Sequence, residues 1–171
     1  MFKEFANDNF DLNRIFQMNN PDTLFDSAIL SALISSCCFI YISPDVTGYP
    51  RLQVIDGANA TGIIDPITGL LKEGYAVIER DKNQNVVTEA YFTAGRTDYI
   101  IKGHRETETY FNNAPYPLLV PIIHRPDAVM EFGHSRISRA QMKLVQSALR
   151  TLKRSEVSAE FYSFPQKYVL G

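Results

Sequence analysis

Hydrophobic positions along the chain change rhythm three times, and each rhythm predicts a different kind of element. Near the start, Phe2, Phe5, Leu12, Ile15 and Phe16 recur at roughly helical spacing, which predicts a helix over residues 2–18. Asn20-Pro21-Asp22 then reads as a second helix start: Asn can cap, Pro suits the first turn, and Asp favours the dipole's positive end. Leu24, Phe25, Ala28, Ile29, Ala32 and Leu33 give that helix a broad apolar face, expected to be buried against the sheet that follows. From Cys37 the texture turns to strand. Residues 38–42, 51–55, 75–79, 86–92, 97–101 and 106–110 are rich in β-formers. Asp65-Pro66-Ile67-Thr68-Gly69 is a turn, and the polar run 81–85 is a hairpin tip. No helix-length connection separates these strands, so the sheet should be an antiparallel meander. Residues 112–126, punctuated by Pro115, Pro117, Pro121 and Pro126, read as an extended segment. Helical spacing returns over residues 135–162, ended by Pro165, and residues 166–170 open a further strand. The fold class expected is α+β: N-terminal helices, an antiparallel β-sheet domain and one long C-terminal helix.

The long helix carries the clearest pattern. At about 100° per residue, Ile137, Leu144, Val145, Ala148, Leu152 and Ala159 form one apolar stripe. Arg136, Arg139, Lys143, Arg150 and Arg154 gather within an arc of about 60° on roughly the opposite side. Overall charge explains none of this, since the net value is only -2. The segment between Phe132 and Ser155 contains no Asp or Glu, yet it holds those five cations and Lys153. Two of them, Arg136 and Arg139, fall near the predicted helix start, where a cation costs about 0.3–1 kcal/mol. Three readings follow: a solvated basic face, a subunit interface that compensates the charge, or a surface that meets DNA.

Catalytic chemistry is not legible. The nine glycines form neither a phosphate-binding loop nor a dinucleotide fingerprint. His104, His124 and His134 lack metal-ligand spacing and read as loop or surface residues. Cys37 and Cys38 are adjacent, a spacing that disfavours a disulfide, and sit where a helix becomes an apolar strand. They read as buried, inert thiols in a reducing compartment. Asp56, Asp65, Glu79 and Glu89 are candidates for paired carboxylates, and solvated hairpin acids are the simpler reading. The Tyr and Phe of the strands read as core and not as a base-stacking platform, because cations do not interleave with them. The apolar-rich run 28–42 is shorter than the roughly 20 residues of a membrane span, and no signal-peptide core is present. The expectation is no enzyme, no cofactor, no metal and no membrane.

Several phrases of the sequence resemble a known family. They are Val120-Pro121-Ile122-Ile123-His124-Arg125-Pro126-Asp127, then Phe132-Gly133-His134-Ser135-Arg136-Ile137, then the long helix, then Ala159-Glu160-Phe161-Tyr162-Ser163-Phe164-Pro165-Gln166-Lys167-Tyr168-Val169-Leu170-Gly171. Together with Asn19-Asn20-Pro21-Asp22 and the helix-to-strand entry at residues 32–40, they resemble the bacteriophage portal proteins of tailed phages. Ser36-Cys37-Cys38 stands where the family usually has Gly, which keeps the residues small. The resemblance implies a structural subunit of a ring, usually dodecameric, through which double-stranded DNA is packaged and ejected. It implies contacts with capsid and head-tail adaptor proteins and with the terminase, and a place in the virion at one capsid vertex, after assembly in the host cytoplasm. Residues 1–130 would match the wing domain, and residues 131–171 the first stem helix and the entry to the clip. The chain would then be part of a longer portal protein. The competing reading is an independent nucleic-acid-binding domain that uses the basic face of helix 135–162; a hydrolase is a distant third.

Overall fold

The computed structural model describes residues 10–44, 48–103 and 107–163. Contacts divide the chain into two units, Met1–Arg136 and Ile137–Gly171.

In the first unit, α1 (Leu12–Met18) and α2 (Pro21–Ser35) precede β1 (Cys37–Pro44), β2 (Pro50–Asp56), β3 (Ala60–Ile64) and β4 (Leu71–Arg80). They are followed by β5 (Val86–Thr93), β6 (Arg96–Ile101), β7 (Glu108–Phe111) and β8 (Leu119–Ile123). Every strand pairing is antiparallel, as the connections require. The single meander expected from the sequence is, however, two sheets. One is three-stranded in the order β2-β1-β8, and the other is five-stranded in sequential order from β3 to β7.

The burial of β1 explains this layering. Cys37, Phe39 and Tyr41 face the five-stranded sheet and share a core with Ile64, Leu71, Ala90, Phe92 and Leu119. The alternate residue Cys38 faces the other way, against Ala28 and Ala32 of α2. A strand covered on both faces must be apolar at every position, which is why residues 38–42 carry no polar alternation. The unit is thus three layers: α2, the three-stranded sheet, and the five-stranded sheet. The Tyr41 and Tyr99 hydroxyls hydrogen-bond to each other at 2.5 Å across the two sheets, and burial pushes the Tyr41 phenol far up. Gly74 makes room between the sheets: a Cβ there would lie 2.9 Å from Leu119 Cδ2.

The helices depart from expectation in detail. Within the described residues the first helix begins only at Leu12, because Asp11 adopts φ 55°, a left-handed conformation that a helix cannot pass through. Phe2 and Phe5 lie outside the described residues. The helix α2 starts at Pro21 as expected, but Asn20, also left-handed, makes no side-chain cap. Its neighbour Asn19 does the local work instead. Asn19 Nδ2 donates to the carbonyls of Ile15 at 2.7 Å and Pro50 at 3.0 Å, and its Oδ1 accepts from the Leu52 amide at 2.9 Å. The face of α2 that is buried is a narrow line of Leu24, Ala28 and Ala32 on the sheet; Ile29 is half exposed.

In the second unit, α3 spans Arg139–Ser163. It begins later than the sequence reading of residue 135. The Ser138 amide donates to Gln141 Oε1 at 2.8 Å and the Gln141 amide to Ser138 Oγ at 3.3 Å, a reciprocal capping box. Pro165 and the strand expected at residues 166–170 lie outside the described residues.

Candidate functional site

The stripes of α3 are the first candidate. Of the apolar positions singled out in the sequence, Leu144, Val145, Ala148, Leu152 and Ala159 lie on the helix, and no residue of α3 is buried. Leu144 is 70% exposed and Leu152 63%. Ile137 precedes the helix. Of the basic positions, Arg139, Lys143, Arg150 and Arg154 lie on the helix, and Arg136 does not. The Arg136 amide donates to the Leu33 carbonyl at 2.8 Å, which places its backbone at the C-terminal end of α2 in the first unit. The dipole cost anticipated for Arg136 therefore vanishes, since the C-terminal end of a helix favours a cation. The cost remains for Arg139, the first residue of α3.

Electrostatics within α3 are unfavourable by design of the sequence. Arg139–Lys143 and Arg150–Arg154 are like-charge pairs four residues apart, each costing a helix about 0.2–0.5 kcal/mol. Among the described residues none of the α3 cations has an acidic ion-pair partner. The two-faced pattern also ends sooner than the sequence reading implies. Beyond Ser155, Val157 and Phe161 fall at the angular position of the basic stripe, Ala159 continues the apolar one, and Glu156 and Glu160 fall between the two.

The segment between β8 and α3 forms a compact loop of the first unit. Phe132 packs against Phe39 with ring centroids 6.0 Å apart. Gly133 has φ 72° and lies so close to the His124 carbonyl that a Cβ would come within 2.2 Å of that oxygen; only Gly fits. Ser135 Oγ donates to the Ile34 carbonyl at 2.6 Å, so Ser135 and Arg136 together satisfy two terminal carbonyls of α2. Asp127 anchors the other end of the loop. Its Oδ1 accepts from the amides of Val129 at 2.9 Å and Met130 at 2.6 Å, and its Oδ2 from His134 Nε2 at 2.6 Å. The His134 bond first and the two amides next hold this carboxyl down to about 2. His124 Nδ1 donates to the His134 carbonyl at 2.8 Å. Two of the three histidines are thus loop residues in structural bonds; His104 lies outside the described residues.

This loop faces the 65–69 turn across a cleft of about 700 Å³. Ile64, Pro121 and Ile123 line it from the strands, and its charged lining groups are Asp65, Asp127 and Glu131. Nothing in the sequence marks it, because it depends on β8 lying beside β1 and not in the meander.

The other chemical candidates are dispersed. Cys37 and Cys38 are buried, and burial raises both thiols, Cys38 to about 11, away from the nucleophilic range. Asp56 accepts from Ser31 and Ser35, Asp65 from Thr68, and Glu79 from Thr88; Glu89 bonds Tyr75. Each acid of the proposed pairs thus has a different partner. Of the strand aromatics, Phe39, Tyr41 and Phe92 are core, whereas Tyr91 and Phe111 are exposed. Among the described residues no group of three or more His, Cys, Asp or Glu is placed to hold a metal ion, and no helix is long and apolar enough to cross a membrane. No protein-family model matches the chain, and no curated protein matches its sequence.

Proposed function

We propose that the chain is a structural subunit of a tailed-phage portal ring, the conduit at one capsid vertex through which double-stranded DNA is packaged and ejected. The observation that carries this reading is α3: a long helix with no buried residue, bearing an apolar stripe and, on the opposite side, a basic stripe with no acidic ion-pair partner among the described residues. An exposed apolar stripe of this size marks a partner surface. In a ring, each subunit meets the next through a heterologous contact that closes by rotation. The apolar stripe then packs against a neighbouring copy, and the neighbour's acids offset the charge that α3 cannot neutralise itself.

An interface also suits a conduit better than a grip. Each phosphate neutralised by Lys or Arg adds salt-dependent affinity and opposes sliding. On this reading the chain contributes surfaces and no catalysis, and works with capsid proteins, a head-tail adaptor and the terminase. Electron microscopy of the full-length protein tests it: rings with a central channel are expected, and a monodisperse monomer under all assembly conditions overturns it.

A second reading, an independent nucleic-acid-binding domain, draws on the same unpaired cations. Arg139→Gln with Arg150→Gln separates the two. Loss of rings supports the interface. No rings even in the unaltered protein, with a salt slope of duplex binding that the double change reduces by about 0.9 per lost phosphate contact, supports the nucleic-acid reading.

A further inference from the structure

Two turns on either side of the first unit's cleft are built alike. Asp65 accepts from the Ile67 amide at 3.2 Å and the Thr68 hydroxyl at 3.0 Å, while Asp127 accepts from the amides of Val129 and Met130. Each carboxylate fixes a turn through its own following backbone. Each turn holds an aliphatic residue almost wholly in solvent: Ile67 is 92% exposed and Val129 87%. Between them the cleft offers apolar strand residues, and its charged lining groups are the acids Asp65, paired with Lys72 at 3.7 Å, Asp127, paired with His134 at 2.6 Å, and Glu131. Glu131 among them has no ion-pair partner within the described residues.

The chain itself contains a segment complementary to this cleft in both respects. Arg139, Met142, Gln146, Leu149 and Lys153 of α3 fall within about 80° of one another, two apolar residues flanking an uncharged Gln with a cation beyond each end. All five are exposed, and neither cation has an acidic partner among the described residues. A nucleic acid is a poor occupant, because phosphates would meet three carboxylates.

We infer that the cleft between the 65–69 and 126–131 turns is the docking site for the basic, apolar ridge of α3 from a second copy of this chain. Ile67 and Val129 grip the helix from either side, Met142 and Leu149 enter the apolar lining, and Arg139 and Lys153 meet the acids. The inference rests on the ring reading and gives it a specific contact: the cleft of one subunit receives the helix of the next, the head-to-tail arrangement that closes into a ring.

Sedimentation equilibrium of the full chain tests it by charge exchange. Glu131→Arg and the double change Arg139→Glu with Lys153→Glu all fall on exposed positions, so folding is not at stake. Each is expected to weaken self-association about tenfold or more, and combining all three changes should restore it to within about threefold. Val129→Asp should weaken it without electrostatic rescue. A chain that is monomeric at every concentration overturns the inference, while microscopy of the full-length protein still decides the ring. Self-association that ignores all of these changes, yet is lost on altering Leu144 and Leu152, overturns the cleft contact and leaves the ring reading standing.

Discussion

Thr97 is fully buried in β6 with its hydroxyl unpartnered, and Asp127 is exposed with every carboxylate oxygen engaged; both are single-residue facts that no periodicity discloses. The first is a defect. A buried hydroxyl without a partner costs about 1–3 kcal/mol, so the isosteric Thr97→Val should raise stability by about 1 kcal/mol in urea denaturation. A loss of stability would mean that the hydroxyl is satisfied after all. The second residue sets a pH dependence. The Asp127 carboxyl titrates at about 2 in the folded chain, below its ordinary value. Its contribution is therefore complete above the unfolded value, about 3.9, and is lost as pH falls through 2. Asp56, Asp65 and Asp98 are depressed too, so the whole molecule should weaken in acid. Asp127→Asn should make that decline shallower, as read from urea midpoints between pH 2 and 6; parallel profiles would remove Asp127 from the account. At this scale the sequence is least informative. The helix start expected at residue 135 misses the Ser-x-x-Gln box at 138–141, and Asn19 and Asn20 are indistinguishable until the backbone shows which of them faces β2.

That Asn19 junction governs an element. The strand β2 is an edge of its sheet, and the Asn19 side chain covers the Leu52 amide while bridging Ile15 and Pro50. Asn19→Ala should cost about 1–3 kcal/mol and speed hydrogen exchange at the Leu52 amide first. Unchanged exchange there would show that the α1–α2 corner is held otherwise. Elements with strong rhythm were legible: α2 from the proline at its first turn and its apolar spacing, β1 from its unbroken apolar run, β4 to β7 from their spacing, and α3 from its stripes. The strands that were missed are both edges. In β8, four prolines nearby argue against a strand, yet Pro121 pairs with Phe39 on an edge strand, where a missing amide proton need not break a ladder. In β3, Gly62 dilutes the pattern, and its bare Cα is needed because a Cβ would lie 2.5 Å from the Glu73 carbonyl.

For the whole molecule, stability and assembly should respond separately. Leu144→Gln with Leu152→Gln removes apolar surface that the single chain leaves in solvent, so thermal unfolding should change by no more than about 0.5 kcal/mol per site. Self-association should nevertheless fall sharply in sedimentation equilibrium; equal losses in both would mean that the stripe serves the single chain's own packing. The pairing of β1 with β8 has a consequence in time. The five-stranded sheet is a meander of neighbours and can form as its strands leave the ribosome, whereas β1 must wait for β8, the last strand of its unit to be made. Throughout that interval the most deeply buried of the described strands carries an unsatisfied edge. Chain release before residue 119 would leave that edge open for good, which makes early termination products the species most prone to aggregate.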